Sequence, residues 1–329
     1  MEREGGIPVV IMGLGEVGRA VARAALAQPG LRIVGAVDPS PSLAGRALSD
    51  VIGAPAPSVT VAATPAEALR AGRGGVVLHA TSSRFEDVLP QITAAVQAGL
   101  SVVSTCEELA WPWLRYGEEA ERLDRLCEQR GVAVVGTGVN PGFVLDRLPA
   151  FLSQVTGPVR HVRALRLVDA LRARPRLLEK IGVGLDEETF HAKADAGEIG
   201  HVGLAESAAL AAAGCGLEVD EVEEEVVPLL AEEELTGPVA IARGRVAGVQ
   251  YVARGFFEDR EIVRLELTFA AGASDPRDEV EIDADPAVRI LIPGGLSGLA
   301  ATANAVVNAA VPAAERKGLI TVLDLPAGR

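Results

Sequence analysis

Two adjacent carboxylates, Glu107 and Glu108, stand in the segment VVSTCEELAWPW directly after a short apolar run. Two neighbouring carboxylates in a dry cleft do not readily ionise together, so one pKa is raised, which suits a general acid or base near neutral pH. Trp111 and Trp113, the only tryptophans, follow the pair and would desolvate it as aromatic walls. The alternatives are structural: acids at a helix N-terminus gain from the helix dipole, and tryptophans pack in cores.

A second set of residues with chemical meaning is the glycine triplet of VVIMGLGEVGRAVARAAL. Gly13 suits a tight turn, Gly15 allows a pyrophosphate to approach the backbone, and Gly18 permits close helix packing. A strand precedes the triplet and a helix follows it, so the helix N-terminus would supply amide donors. The pattern predicts a dinucleotide site whose contacts include Gly13, Leu14, Gly15, Glu16, Val17 and Gly18.

Asp38 ends the next predicted strand, where it would accept hydrogen bonds from the adenosine ribose and repel a 2′-phosphate. This favours NAD as cofactor, while Arg46 nearby leaves NADP open. The alternative for Asp38 is a turn acid that caps DPSPS. Further cofactor contacts are predicted after the fourth and fifth strands, at Ala80, Thr81, Ser82 and Thr105, with helix capping as the alternative for the hydroxyl residues.

The elements that must position these residues alternate short β-branched runs with amphipathic segments, as in βαβ units. Strands are predicted over residues 9–12, 32–37, 59–61, 75–80, 101–104 and 133–136, and helices over 17–27, 65–71, 86–98 and 118–130. The first half, residues 1–148, is therefore predicted to be an α/β domain built on a doubly wound parallel (Rossmann) sheet. The acid pair then lies at the carboxyl edge of the sheet, beside the nicotinamide end of the cofactor.

The second half, residues 149–296, has longer alternating segments that predict an α+β domain on a mainly antiparallel sheet. In IVRLELTF, Val263 and Leu265 share one face with Leu267 and Phe269, whereas Arg264, Glu266 and Thr268 share a wetter face. Neighbouring strands are predicted over 161–169, 224–230, 246–254 and 279–284, with a helix in 201–216. A helix from residue 297 is predicted to stop at Pro312, and the segment 297–329 to pack back on the first domain. A sheet with one wetter face predicts a homodimer.

The composition limits the classes of partner. The chain of 329 residues has a formal charge of −14 and no basic cluster, which argues against nucleic acid and anionic membrane surfaces. No apolar run approaches the ~20 residues of a membrane span, and the N-terminus lacks a signal-peptide pattern, so a cytoplasmic protein is expected. Three widely spaced cysteines give neither a disulfide framework nor a metal pattern.

The motifs GLGEVGRAV, ATSS, STCEELAWPW, GTGVNPGFVLD and GHVGLAES, in this order, resemble the 2,4-diaminopentanoate dehydrogenases and related amine dehydrogenases. The first domain of that family is similar to dihydrodipicolinate reductase. The resemblance implies an NAD(P)-dependent oxidoreductase acting on CH–NH2 groups: hydride leaves an amine-bearing carbon, and the imine is hydrolysed to a ketone and ammonia, reversibly. It also implies that a glutamate after the fifth strand is the acid–base group, Glu107 or Glu108, with Glu107 favoured.

The resemblance further implies pocket residues. Trp111 and the residues Thr137, Val139 and Asn140 of GTGVNPGF would line the pocket, and Asn140 would also hold the cofactor. His201 in GHVGLAES would face the cleft, although a lone histidine is more often structural. Two departures from the family stand out: a basic segment with Arg172, Arg174 and Arg176, which would grip a substrate carboxylate or form a solvated turn, and a K-x-D-A fragment without the Pro-Ser-Gly-Thr of dihydrodipicolinate reductase.

Two other functions are alternatives to this interpretation. One is an alcohol or semialdehyde oxidoreductase of the homoserine dehydrogenase type, which normally has a lysine where this chain has acids. The other is a non-catalytic NAD(H)-binding redox sensor, which normally carries a partner-binding or DNA-binding segment.

Overall fold

The computed structural model describes residues 6–172, 175–236 and 239–328, without the side chains of residues 172, 175 and 176. Its contacts divide the chain into two compact units. The first contains the residues up to Phe143 and those from Ser297 onward, and the second contains the residues between them. The boundary predicted after residue 148 lies a few residues further along the chain.

Strands and helices alternate through the first part of the chain and segregate later. The strands are β1 (Ile7–Met12), β2 (Leu31–Val37), β3 (Val61–Ala62), β4 (Val76–His79), β5 (Ser101–Ser104), β6 (Ala133–Gly136), β7 (His161–Asp169), β8 (Glu221–Leu230), β9 (Val246–Phe257), β10 (Arg260–Ala270), β11 (Arg277–Asp283), β12 (Val288–Pro293) and β13 (Gly318–Ile320). The helices are α1 (Glu16–Ala27), α2 (Leu48–Ile52), α3 (Pro65–Ala71), α4 (Phe85–Gln97), α5 (Gly117–Arg130), α6 (Arg147–Ser153), α7 (Pro175–Lys180), α8 (Glu187–Asp195), α9 (Leu204–Gly214) and α10 (Gly298–Ala314).

The first unit is built on a seven-stranded parallel sheet in the order β13-β6-β5-β4-β1-β2-β3. Its central strands are continuous apolar runs because helices cover both faces. Val10 and Val77 belong to one core cluster with Phe85 and Ile92, formed with α3, α4 and α5. On the other side, α1 and α10 contact each other, and α10 contacts β4, β5 and β6. The predicted doubly wound fold is confirmed.

The end of α10 differs from the prediction. Pro312 lies inside the helix, which continues to Ala314, so the expectation that Pro312 stops it was wrong. A proline in the last turn removes one backbone hydrogen bond, and the rest of the helix is stabilised by its packing on the sheet.

The second unit is built on a six-stranded sheet in the order β12-β11-β7-β10-β9-β8. Every neighbouring pair is antiparallel except β7 and β10, so the mainly antiparallel sheet is confirmed. Helix α9 packs against β8, β9 and β10, and α6 packs against β11. Strand β12 and the short helices α6, α7 and α8 were not predicted.

The alternation along β10 is confirmed on one side and needs correction on the other. Val263, Leu265 and Leu267 are buried, as predicted for the covered face. Glu266, however, is only 7% exposed on the face predicted to be wetter. Its carboxylate is paired with Arg163 at 3.2 Å and with Arg264 at 2.9 Å, so partners on neighbouring positions allow its burial. Within the described residues, no helix is long and apolar enough to cross a membrane.

Candidate active site

The carboxyl ends of the central strands of the first unit bring four loops together. In the register of the sheet, Met12 of β1 pairs with His79 of β4, His79 pairs with Ser104 of β5, and Ser104 pairs with Gly136 of β6. The loops that follow are 13–15, 80–84, 105–107 and 137–142. Open α/β sheets bind ligands at this edge, near the point where the strand order reverses, which here lies between β1 and β4.

The glycine loop has the space that a dinucleotide requires. A Cβ at Gly13 would lie 2.3 Å from the Ala80 carbonyl oxygen, and one at Gly18 would lie 1.8 Å from the Gly13 carbonyl oxygen. Gly13 also has φ of +88°, which favours glycine. At Gly15, by contrast, a Cβ would have no atom within 4 Å, and no side chain caps α1 there. The backbone at Gly15 therefore borders open space at a helix N-terminus, as pyrophosphate binding needs.

Asp38 is fixed beside this loop by two backbone amides. Its Oδ2 accepts a hydrogen bond from Leu14 N at 2.8 Å, and its Oδ1 accepts one from Ser40 N at 2.9 Å. The second bond corresponds to the turn-capping alternative considered for Asp38, and the first links the carboxylate to the glycine loop. Each oxygen keeps a second lone pair for a ribose hydroxyl.

The residues after β4 and β5 divide into capping and edge positions. Ser82 Oγ donates to Asp87 at 2.7 Å and accepts from Arg84 N at 3.3 Å, at the start of α4. Thr81 is exposed, and its Oγ1 lies 3.0 Å from His79 Nε2. Ala80 N donates to the Met12 carbonyl at 2.8 Å, and Thr105 N donates to the His79 carbonyl at 2.9 Å.

The acid pair separates into one buried and one half-exposed carboxylate. Glu108 is 5% exposed, and its Oε2 accepts hydrogen bonds from Phe85 N at 2.6 Å and from Tyr116 Oη at 3.2 Å. It therefore caps the start of α4 and holds Tyr116, whose pKa is raised to about 12 by burial and then by the Glu108 charge. Glu107 is half-buried and is the N-cap of the short 3-10 helix Glu108–Ala110.

Aromatic and thiol groups border the pair. Trp111 and Trp113 contact each other edge to face, with ring centroids 5.4 Å apart, and both are half-buried. Cys106 is 1% exposed, and its Sγ donates to the Ser83 carbonyl at 3.2 Å. Burial raises the pKa of this thiol, and the neighbouring glutamates raise it further, so Cys106 is not a nucleophile near neutral pH.

The loop after β6 carries the predicted pocket residues of the first unit. Thr137 N donates to the Ser104 carbonyl at 2.8 Å, and Val139 N donates to Thr302 Oγ1 at 3.2 Å. Thr137 and Val139 are buried, and Asn140 is half-buried with a cis peptide bond to Pro141. Helix α10 thus fixes this loop through Thr302, a residue that the sequence suggested only for packing.

The second unit contains a buried row of side chains across its sheet, and three of the four are polar. Asp278 of β11 pairs with Arg166 of β7, which pairs with Leu267 of β10, which pairs with Tyr251 of β9. Arg166 is 3% exposed; its Nε lies 3.1 Å from Asp278 Oδ1 and its Nη2 donates to the Leu296 carbonyl at 2.8 Å. Its Nη1 is buried without a hydrogen-bond partner among the described residues.

His201 lies beside this row, and Asp278, Arg166, Tyr251 and His201 are together called the buried cluster of the second unit. Its ring centroid lies 6.1 Å from that of Tyr251, and its Nδ1 is buried without a hydrogen-bond partner in the described part of the chain. Burial, together with the charges of Lys180 and Arg166, lowers the pKa of His201 to about 3. The imidazole is therefore neutral near pH 7. Of the predicted basic segment, Arg174 and the side chains of Arg172 and Arg176 lie outside the described residues.

A family model for the 2,4-diaminopentanoate dehydrogenase C-terminal domain matches residues 143–329, more than half of the chain. The chain belongs to the 2,4-diaminopentanoate dehydrogenase family. The resemblance derived from the motifs is thereby confirmed.

Members and neighbours of the 2,4-diaminopentanoate dehydrogenase family cover nearly the whole chain. The 2,4-diaminopentanoate dehydrogenase of Acetoanaerobium sticklandii is 28% identical over 98% of this chain and 94% of its own length. An amine dehydrogenase structure from Mycobacterium smegmatis has a TM-score of 0.86 at 23% identity and covers 100% of this chain and 98% of its own. A Lactobacillus casei scyllo-inositol dehydrogenase with bound NAD(H) has a TM-score of 0.57 at 15% identity, covering 97% and 92%.

Membership in the 2,4-diaminopentanoate dehydrogenase family makes the chain an oxidoreductase with a nicotinamide dinucleotide as cofactor. The open backbone at Gly15, the N-terminus of α1 and the carboxylate of Asp38 fit that cofactor. Sequence reasoning missed His79, Thr302 and Arg166. His79 ends a strand at the ligand edge and Arg166 interrupts an apolar strand face, and these were the signals that could have found them.

Proposed function

We propose that this chain is an NAD(P)-dependent amine dehydrogenase that converts a small amine or a diamino acid of the 2,4-diaminopentanoate kind to a ketone and ammonia. The reverse reaction is the reductive amination of a ketone. The family, and the activities named for the Acetoanaerobium and Mycobacterium relatives, support the reaction class. The observation that carries the mechanism is the difference in exposure within the acid pair, because Glu108 is buried against Phe85 N and Tyr116 whereas Glu107 is half-exposed at the ligand edge.

The proposed cofactor contacts all lie in the first unit. The backbone of Gly13–Leu14–Gly15 and the first turn of α1, with Glu16, Val17 and Gly18, would hold the pyrophosphate, and Asp38 would hold the adenosine ribose. Ala80, Thr81, Ser82, Thr105 and Asn140 would contact the remainder of the dinucleotide. When bound, the nicotinamide supplies the hydride acceptor of the reaction.

Glu107 has the proton-transfer role in this proposal. Its carboxylate takes a proton from the substrate ammonium, which frees the nitrogen lone pair. The lone pair forms the C=N bond as the carbon loses hydride, and water then adds to the carbon of the resulting iminium. Glu107 releases its first proton to solvent, takes a proton from the added water and gives it to the nitrogen. It then accepts the proton of the carbinol hydroxyl as the C–N bond breaks, and a ketone and ammonia leave. Trp111, Thr137, Val139 and Asn140 would line the pocket.

The matched variants Glu107→Gln and Glu108→Gln test this assignment, because they make the same chemical change at adjacent positions. We expect Glu107→Gln to lower kcat for amine oxidation by about 10²–10⁴-fold, the usual contribution of a general acid–base group. Glu108→Gln should stay within about tenfold of the native kcat, because the glutamine oxygen can still accept from Phe85 N and Tyr116. The assay is reduction of NAD or NADP with 2,4-diaminopentanoate and with short-chain amines. Equal losses in the two variants would contradict the assignment, and no turnover by the native chain with either cofactor would contradict the function.

The buried cluster of the second unit supports a substrate that carries a carboxylate. Within the described residues, the Arg166 guanidinium pairs with Asp278 through Nε and leaves Nη1 without a hydrogen-bond partner. This group, next to a neutral imidazole and a phenol, suits a carboxylate better than an alkyl group. Arg166→Lys should raise KM for the diamino acid and leave KM for a plain amine unchanged, since the plain amine has no group for the forked guanidinium to bind. A parallel rise in both KM values would show that Arg166 is only structural. His201 would be a hydrogen-bonding partner in this cluster, and Arg172 stays a predicted pocket residue.

The chain is also proposed to form a homodimer through the face of the second sheet opposite α9. Charges of both signs alternate on that face, as in the pairs Arg163–Glu266 and Arg289–Glu281, so it is complementary to a second copy of itself. Leu291 on the same face is 51% exposed. Light scattering should give twice the 34.0 kDa chain mass, and Leu291→Glu should shift the protein toward the monomer. A monomeric native protein at micromolar concentration would rule this interface out.

A further inference from the structure

His79 is a buried histidine at the ligand edge of the first unit, and the proposed reaction does not use it directly. It is 1% exposed and ends β4 between β1, which leads to the glycine loop, and β5, which leads to the acid pair. A histidine in this position could simply be a satisfied core residue. Its hydrogen bonds, however, lead to the segment that carries Glu107.

Each ring nitrogen of His79 has a defined partner. Nδ1 lies 2.8 Å from Ser104 Oγ, whereas Nε2 lies 3.1 Å from Gln91 Oε1 and 3.0 Å from Thr81 Oγ1. The amide of Gln91 donates to the Asp87 carbonyl at 3.3 Å, so its oxygen is the atom that faces the ring. An amide oxygen can only accept, and Nε2 must therefore carry the proton. Nδ1 is then an acceptor, and the Ser104 hydroxyl donates to it.

The Ser104 hydroxyl links the ring to the turn that carries Glu107 and Glu108, called the acid turn below. Ser104 Oγ accepts a hydrogen bond from Cys106 N at 3.0 Å, and Cys106 directly precedes Glu107. A chain of donors and acceptors therefore runs from the Cys106 amide to Ser104 and then to the ring. Burial lowers the pKa of His79 to about 4, which keeps the ring in the neutral form that this direction of donation requires.

We infer that His79 is a positioning residue for Glu107: through Ser104 it fixes the Cys106 amide, and with it the backbone from which the Glu107 side chain extends. The same ring holds Thr81 on the cofactor side of the edge, so one side chain orders two of the loops that meet there. The inference rests on the proposed role of Glu107. A small displacement of a catalytic group is enough to slow a reaction strongly, which gives this indirect contact its effect on rate.

The two nitrogens can be replaced separately. The amide of asparagine occupies the position of Nδ1 and that of glutamine the position of Nε2, so His79→Asn keeps an acceptor for Ser104 and His79→Gln does not. Ser104→Ala removes the link while leaving the ring in place. All three variants lose contacts in the core, so a loss of Tm by itself does not separate positioning from packing.

Amide hydrogen exchange of Cys106, measured by NMR, reports the link without any substrate. We expect about tenfold faster exchange in Ser104→Ala and His79→Gln, the effect of losing one hydrogen bond, and near-native exchange in His79→Asn. With an amine substrate, kcat should fall about tenfold in the first two variants, KM for NAD should change less than about twofold, and His79→Asn should recover most of the rate.

Two results would overturn the inference. One is native exchange at Cys106 in Ser104→Ala, and the other is equal losses of kcat in His79→Asn and His79→Gln that simply follow Tm. If the native chain oxidises no amine, the proposed function fails, while the exchange measurement still decides whether His79 fixes the acid turn. If His79→Gln does not fold, Ser104→Ala and His79→Asn give the same comparison.

Discussion

Replacement of Glu108 should weaken folding, whereas replacement of Glu107 should leave folding almost intact. In Glu108→Ala, the Phe85 amide loses its acceptor in a place where Phe85 is fully buried. An unsatisfied buried donor costs about 1–3 kcal/mol, and loss of an acid at the start of α4 adds about 0.3–1 kcal/mol. The Tyr116 hydroxyl also loses its partner but is half-buried and can reach water. We expect a total loss of about 2–4 kcal/mol in the free energy of unfolding.

Variants that remove fewer interactions separate the contributions to this loss of unfolding free energy. Glu108→Gln should lose about 1 kcal/mol, because one oxygen accepts both hydrogen bonds and only the charge is removed. Tyr116→Phe should lose about 0.5–1.5 kcal/mol, the usual value of one hydrogen bond. Glu107→Ala, at a half-exposed position, should lose less than about 1 kcal/mol. In a double-mutant cycle, Glu108→Ala and Tyr116→Phe should be non-additive.

Urea titration followed by tryptophan fluorescence suits this series. Trp111 and Trp113 are the only tryptophans, and both lie in the first unit a few residues after Glu108, so the signal reports the unit that is perturbed. Midpoints should shift while the m-value stays constant. The division of the acid pair would be refuted if Glu107→Ala destabilised the protein as much as Glu108→Ala, or if Glu108→Ala lost less than about 1 kcal/mol.

Three further outcomes are expected. Asp38→Ser should weaken NAD binding by about tenfold and improve NADP binding, as measured by titration of reduced-nicotinamide fluorescence, because the carboxylate that repels a 2′-phosphate is gone; an unchanged preference would contradict its role. Gly15→Ala should fold normally yet bind NADH about tenfold more weakly, since its Cβ meets only open space, whereas Gly18→Ala should lower Tm because its Cβ would lie 1.8 Å from a backbone oxygen. Burial lowers the pKa of His79 to about 4 and of His201 to about 3, below the usual 6.5, so the unfolded chain binds more protons and stability is lost as pH falls below about 6.5. Between pH 7 and 5 the loss should be about 2 kcal/mol per histidine, and His79→Asn should show a smaller loss of urea midpoint over that interval.

The sequence predicts best what is local. Six strands and the longer helices of the first unit follow from β-branched runs and 3.6-residue periodicity, and the glycine loop follows from three residues within one turn. Helix α2, with five residues, was not predicted. The seventh strand, β13, has only three residues and gives no such signal. In the second unit, β12 has partly exposed residues on both faces, so its burial pattern barely differs from that of a loop.

The roles of individual site residues depend on partners that are distant in the sequence. Nothing in CEEL distinguishes Glu108 from Glu107; the distinction comes from Phe85 N, 23 positions earlier. His79 likewise meets Ser104 25 positions later. Such pairings are produced by strand order and register, which a single sequence specifies only through the whole fold. For this reason the sequence locates the acid pair but does not tell which of the two glutamates is buried and hydrogen-bonded.

The chain returns to its first unit after the second, and this affects the order in which the units can fold during synthesis. Helix α10 and strand β13 are made after the second unit, yet α10 packs on β4, β5 and β6, and β13 forms the edge of the sheet beside β6. During synthesis on the ribosome, the whole of the second unit emerges before α10 can cover the parallel sheet. Until then, one face of the central strands that carry the glycine loop and the acid turn lacks this helix. Domain-by-domain folding from the N-terminus therefore leaves the first unit, with its candidate cofactor site, incomplete until α10 and β13 have followed the second unit.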